Sequence, residues 1–350
     1  MKIEELDKNM AMAKVGEEDD VVWYDVRKAP FKLYGLYNAQ TDSYFHRLPE
    51  NVYKECSERL REIEKHTAGG RIRFKTDSPF VAVKVFTPWQ AQMTNMSLSG
   101  SSSFDIFVYE NEAYRFLNCF RPPFLCENGE WNARSNVPKG LNEYLLPFPL
   151  YNAVEKVYVG IQKGSVLKEC DGYKHENPVV FYGSSITQGA SASRPGTCYE
   201  ELISHRFDLN YINLGFSGAA LGEQAIAEYI GTLEMSAFVL DFDHNHYAPE
   251  PLRKTHLPFY KTFRKLKPDT PLIMVSRPYP IMPELREIIK DTYKYAIEQG
   301  DKNVAFIDGE TLFAGDHYTE CTVDGCHPND IGHYRMSQVI GNEIKKMLNL

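Results

Sequence analysis

The chain has 350 residues, 43% hydrophobic and 25% charged, which is enough to bury a full core and favours two domains. Its net charge of -8 comes from acids spread along the whole length, with no basic stripe, and this argues against a nucleic-acid surface. No run approaches the roughly 20 apolar residues that a membrane-crossing helix needs, and seven scattered cysteines, an odd number, argue against a disulfide framework.

The first twenty residues, MKIEELDKNMAMAKVGEEDD, are acidic and hold no apolar segment, so they do not read as a signal peptide. The expected location is the cytoplasm, and the sequon Asn95-Met96-Ser97 is then a chance match. From about Val21 to Val166, short strand-like runs alternate with Pro- and Gly-rich breaks. In RIRFKTDS, Ile72 and Phe74 alternate with Arg71, Arg73 and Lys75. FVAVKVF, FDIFVYEN, YRFLNCF and KVYVGIQ are also strand-like. One helix, NVYKECSERLREIEKHTAGG, interrupts them, and Gly69-Gly70 are expected to stop it. This half reads as an antiparallel β-sandwich or jelly roll. Trp23, Trp89 and Trp131 read as core or interface residues, with a sugar platform as the other reading for one of them.

From Asn177 the pattern changes. PVVFYG, NYINLGF, SAFVLDF, TPLIMVSRP and NVAFIDG are short apolar runs of buried-strand type. Amphipathic stretches follow them: TCYEELISHRF, GEQAIAEYIG, PFYKTFRKLK, LREIIKDTYKYAIEQG and the terminal HYRMSQVIGNEIKKMLNL. Strand followed by helix, repeated, predicts βαβ units and a parallel sheet covered on both faces. The joint falls near CDGYKHEN, which divides the chain into a sandwich domain, 1–174, and an α/β domain, 175–350.

Ligands of open α/β sheets bind at the carboxyl ends of the strands. Those ends carry Gly183-Ser184-Ser185, then NLGFSG with Gly218, then DFDHNH with Asn245, then SRP with Arg277, then CTVDGCHPNDIGH with Asp324 and His327. Brought to one edge, they supply what acyl transfer needs. A serine hydroxyl is activated when a histidine takes its proton, and an acid must hold that histidine. Asp324 and His327 are spaced to meet in one loop, although a loop aspartate can equally cap the following helix. A developing oxyanion needs preorganised donors. The Ser185 and Gly218 N–H groups and the Asn245 amide are candidates. Arg277 could meet a carboxylate or sugar oxygen, or form a structural ion pair. Asp243, His244, His246, Cys321, Cys326 and His327 could in principle gather a metal, but their spacing matches no zinc pattern, so no metal or cofactor is expected.

This order of blocks resembles the SGNH/GDSL hydrolase family. Its Gly-Asp-Ser block is matched by Gly183-Ser184-Ser185, its second-block glycine by Gly218, its third block by Asp243-His244-Asn245-His246 and its Asp-x-x-His block by Asp324-Gly325-Cys326-His327. Ser184 stands where the family has aspartate, which touches the loop geometry rather than the triad. SSFDIFVYEN and LLPFPLYNAVEKVYVGI look like the Gly-x-Asp-Leu-Tyr signature of a subgroup of bacterial esterases with a front β-sandwich. The resemblance implies a flavodoxin-like α/β/α fold. It implies Ser185, Asp324 and His327 as triad and Ser185, Gly218 and Asn245 as oxyanion donors. The expected substrate is a short-chain, acetylated carbohydrate ester, with no nucleic-acid or membrane partner and homo-oligomerisation left open. The alternatives are an acyltransferase with the same triad and a carbohydrate-binding protein with a decayed hydrolase domain.

Overall fold

The structure is a computed structural model that describes residues 6–7, 10–16, 20–126 and 129–350. The reading of the first twenty residues rests partly on 1–5, 8–9 and 17–19, which lie outside the described residues.

The front half is built from β1 (Val21–Asp25), β2 (Lys32–Tyr34), β3 (Arg71–Thr76), β4 (Phe80–Phe86), β5 (Phe104–Glu110), β6 (Ala113–Phe120), β7 (Glu130–Asn136), β8 (Asn142–Pro147), β9 (Lys156–Gln162) and β10 (Leu167–Lys168). One antiparallel sheet has the order β1-β9-β4-β7. The other has the order β10-β3-β8-β5-β6, with β2 also paired to β3. Alternate residues turn inward, so Ile72, Phe74, Val83, Phe104, Trp131 and Val159 meet in one apolar core between the sheets. The expected single helix is instead two short ones, α1 (Glu50–Tyr53) and α2 (Glu58–Ile63). Ser57 explains the break: it is extended, and its hydroxyl accepts from Leu60 N–H, starting a new helix. Gly69 serves a close approach rather than a helix stop, since a Cβ there would come within 2.6 Å of Asn213 Cβ. A further short helix, α3 (Leu98–Ser101), precedes β5.

The back half holds β11 (His175–Gly183), β12 (Leu209–Gly215), β13 (Ala237–Asp241), β14 (Leu272–Val275) and β15 (Val304–Ile307). All pairings are parallel, in the order β12-β11-β13-β14-β15. This is the flavodoxin-like order, with its switch point beside the first strand. Helices α4 (Ser185–Gln188), α5 (Tyr199–Phe207), α6 (Gln224–Thr232), α7 (Pro249–Leu266), α8 (Pro283–Glu298) and α9 (Asp330–Leu348) connect the strands or close the fold. Both sheet faces are buried. Val180 and Tyr182 point into a core shared with Ile226, Phe259 and Ile288, while Val179 and Phe181 point into one shared with Tyr199 and Ile340. Among the described residues no helix is long and apolar enough to cross a membrane.

The two halves meet through buried charge. Two of the charged positions of β3 are not solvated: Arg71 and Arg73 are 0% and 1% exposed. Arg71 donates to Asn210 Oδ1 and to the Tyr211 carbonyl, each at 2.7 Å, and stacks 3.8 Å above the Tyr211 ring. Arg73 pairs with Glu143 of its own half, lies 4.2 Å from the ring of Tyr173 in the joint, and reaches Asp208 Oδ1 of the back half at 3.9 Å. Arg47 donates to the carbonyls of Gly215 and Ile63. Asp105, the aspartate of the SSFDIF stretch, is fully buried and accepts from Arg194 Nη1 at 2.7 Å and Gly196 N–H at 2.8 Å. Removing one side of such contacts strands the other without a partner. A fragment from Glu176 onward is therefore expected to lack a cooperative urea transition and to aggregate; a sharp, reversible transition by circular dichroism would show that the back half stands alone.

Candidate active site

The strand β11 ends at Gly183, where any side chain is excluded: a Cβ would sit 2.0 Å from Thr187 Oγ1 and 2.3 Å from the Asp241 carbonyl oxygen. Helix α4 starts at once. Ser184 caps it, its hydroxyl accepting from Ile186 N–H at 3.2 Å. The serine that replaces the usual aspartate thus keeps the turn in shape. Ser185 follows at the first helical position, 8% exposed, with its hydroxyl 3.0 Å from His327 Nε2. Two adjacent serines therefore do separate things, one shaping the turn and one facing the histidine.

His327 comes from the loop before α9. Its Nδ1 donates to Asp324 Oδ2 at 2.8 Å. Asp324 Oδ1 accepts from the backbone N–H groups of His327 at 2.8 Å and Cys326 at 3.1 Å. Asn329, not Asp324, caps α9. A fourth donor reaches Asp324 from the sandwich: Asn95 Nδ2, 3.1 Å from Oδ2. Burial opposes the charge on Asp324, but the His327 donors and the Asn95 amide outweigh it and hold the carboxyl at about 2. The arrangement is a continuous relay from hydroxyl to imidazole to carboxylate, the form that activates a serine for attack on a carbonyl.

The expected oxyanion donors lie close together but are not all free. Gly218 N–H donates to Asn245 Oδ1 at 3.0 Å. The Asn245 amide donates in turn to the carbonyls of Phe216 at 3.1 Å and Ala220 at 3.0 Å. Only the Ser185 N–H, at the start of α4, is without an acceptor among the described residues. The motif placed Asn245 and Gly218 at the site; it could not show that they would be bonded to each other.

Arg277, read as meeting either a substrate oxygen or a structural partner, is turned inward. It is 5% exposed; its Nη2 donates to His244 Nδ1 at 2.8 Å, and its Nη1 contacts Met282 Sδ. His244 Nε2 donates to the Tyr279 carbonyl at 3.1 Å, and burial pushes its imidazole down to about 3, so it backs the loop as a neutral ring. Of the residues considered for a metal, Cys326 and His327 bring ligand atoms within 4.8 Å of one another, together with Asp324, which was not in that set. His327 Nδ1 and Asp324 Oδ2 are already bonded to each other there, and burial raises the Cys326 thiol away from the thiolate a metal wants. Asn95 and Tyr151, whose hydroxyl donates to the Ser185 carbonyl at 3.3 Å, were not singled out as site residues from the sequence.

Residues 176–345 match the model of the GDSL-like lipase/acylhydrolase family, and residues 21–167 match that of the N-terminus of the Esterase_SGNH_hydro-type family. The chain belongs to the SGNH/GDSL hydrolases. It is an ester-hydrolysing serine hydrolase of the subgroup with a front β-sandwich. None of the curated proteins matches it. Among solved structures, it is similar to a protein from Bacteroides ovatus ATCC 8483 described as a GDSL-like lipase, with a TM-score of 0.85 and 27% identity over 94% of this chain and 98% of that one. The salicylyl-acyltransferase SsfX3 from a tetracycline biosynthetic pathway shares the fold, with a TM-score of 0.77 and 18% identity over 94% and 98%. So does an acetyl xylan esterase from the rumen bacterium Butyrivibrio proteoclasticus, with a TM-score of 0.61 and 12% identity over 94% and 99%.

Two substitutions separate the roles read here. Ser185→Ala should lower esterase turnover ~10⁴-fold or more with an unchanged melting temperature. Ser184→Ala should lower the melting temperature by loosening α4 while retaining much of the turnover; the reverse pattern would move the nucleophile to Ser184. Asn245→Ala should cost roughly 10²–10³ in kcat with little change in KM. Because Asn245 also ties residues 216–220, its loss should lower thermal stability in the same variant, and normal kcat would leave Asn245 with the loop-tying task alone.

Proposed function

We propose that the protein is a serine esterase that removes short acyl groups, acetyl foremost, from carbohydrate esters through an acyl-enzyme. The observation that carries this reading is the unbroken relay of Ser185, His327 and Asp324, at 3.0 and 2.8 Å. Ser185 Oγ attacks the ester carbonyl carbon as His327 Nε2 takes its proton. Asp324 orients the ring and stabilises the imidazolium. The tetrahedral oxyanion meets the Ser185 N–H, and a rotation of the Asn245 side chain would release the Gly218 N–H and its own amide toward it. As the intermediate collapses, His327 returns the proton to the departing alcohol. Water then attacks the acyl-enzyme with His327 as base, and Ser185 is restored.

The carbohydrate part of the reading is supported by Trp89, 42% exposed and 5.4 Å from the His66 ring. His66 contacts Gln188 of the nucleophile's helix at 2.9 Å, so an open aromatic face lies near the site. Residues 1–174 and 175–350 are read as two domains, the first forming a wall of the active site. The odd number and scattered placement of the cysteines favour a reducing compartment, the cytoplasm. An acyltransferase would share every step up to the acyl-enzyme and differ only in the alcohol that replaces water. A non-catalytic binding protein would have no reason to retain the relay.

The test is covalent. A fluorophosphonate probe should label the protein stoichiometrically and only at Ser185, and acetate should be released from an aryl acetate and from acetylated xylo-oligosaccharides. EDTA should leave both rates unchanged. An unlabelled protein would overturn the reading, and activity lost to EDTA and restored by zinc would replace it with a metal centre on Asp324, Cys326 and His327.

A further inference from the structure

We propose that Asn95, from the sandwich half, is a positioning residue for the triad, holding the Asp324 carboxylate in the orientation that grips His327. The inference rests on the serine-hydrolase reading of the site. Asp324 accepts four N–H groups. Three come from its own loop: the backbone of Cys326, the backbone of His327 and the His327 ring. These three tie the carboxylate to the loop but not to the rest of the protein. Asn95 is the fourth, and it lies 229 positions away in sequence. It shares Oδ2 with the His327 ring, so its amide fixes the very oxygen that orients the base.

The turn that carries Asn95 is anchored for this task. Met93 and Met96 form an isolated antiparallel bridge, with Asn95 between them. Met96 is 7% exposed and packs with Leu150, Tyr151, Ala190 and Ala192. Ser99 Oγ donates to the Ser193 carbonyl at 2.7 Å. Gly100 is pressed against the same loop, since a Cβ there would fall 2.2 Å from the Ala192 carbonyl oxygen. Side chain, hydroxyl and backbone thus clamp residues 93–100 onto the stretch that follows the nucleophile's helix, and the half-buried Asn95 side chain is left to reach Asp324.

Asn95 supplies a donor without charge. An aspartate of the same shape would put a second carboxylate against Asp324, and the paired negative charge would favour protonated His327. The other groups facing the pair are Arg277, His244 and Cys326 behind His327, and His333 and Asp330 at the start of α9. None of these changes in the test.

The experiment measures, in the full chain, kcat and KM on an aryl acetate and the rate of fluorophosphonate labelling, each across pH. Asn95→Ala should lower kcat about tenfold with KM little moved. Asn95→Asp, although isosteric, should lose more at neutral pH, and its acid limb should shift upward by about one pH unit. Both variants should keep the wild-type melting temperature. A packing role would give the opposite order, with Asn95→Asp close to wild type and no shift of the acid limb, and would overturn the proposal. So would two variants with wild-type rates. Ser185→Ala runs alongside: if it still turns over substrate, the serine-hydrolase reading has failed, whereas an inert Ser185→Ala beside unaffected Asn95 variants means that only the positioning role has.

Discussion

Everything at the catalytic edge depends on how little room there is at Gly183. The strand must turn into α4 within one residue, between Thr187 below it and the Asp241 carbonyl on the neighbouring strand, and only a bare backbone fits. That crowding settles what comes next. Ser184 has to cap the helix because α4 begins immediately, and Ser185 is left at its open end. Gly215, on the adjacent strand, is tight in the same way, since a Cβ there would lie 2.2 Å from Gln188 N. Two glycines without side chains let one short helix sit directly on the sheet edge, and Ser185 takes its position from that contact.

The second constraint is the charged contact between the halves. Burying Arg47, Arg71, Arg73 and Asp105 costs solvation that their partners only offset, so this contact is better understood as setting register than as a source of net stability. Each group demands a partner in one place: the Tyr211 carbonyl and ring for Arg71, Asp208 for Arg73, the Gly215 carbonyl for Arg47, the Arg194–Gly196 turn for Asp105. An apolar contact would tolerate a small slide. This one does not, and a slide of even an ångström would carry the turn at residues 93–100 away from Asp324.

Legibility in the sequence followed burial. The five parallel strands were plain because both their faces are covered, which makes them continuous apolar runs. In the front half, β7 reads EWNARSN, and its inward Trp131 and Ala133 are hidden among polar letters. The helix over 51–70 looked continuous because apolar spacing does not reveal that Ser57 will cap a new start. The alternation of Arg71 and Arg73 with Ile72 and Phe74 shows a two-faced strand, but nothing local to β3 announces that the other half will cover the arginine face. At the site, motif order was enough to bring Ser185, Asp324 and His327 to one edge. It could not give direction: Asn245 and Gly218 are adjacent as expected, yet bonded to each other, and Arg277 points into the protein. Asn95 itself was legible as a sequon and as the end of a polar turn, FTPWQAQMTN, long enough to reach a neighbouring cleft; its partner, 229 positions away, was not.

The arginine-lined outer face of β3 also bears on how the chain is made. Synthesis runs from the N-terminus, so the sandwich emerges while residues 175–350 do not yet exist. A docking face built of leucines would then stand bare beside the ribosome, open to any other unfinished chain. Arg47 and Arg71 can stay hydrated until Gly215 and Tyr211 arrive to displace the water. The same charges that make the finished joint exacting keep the half-finished protein from sticking.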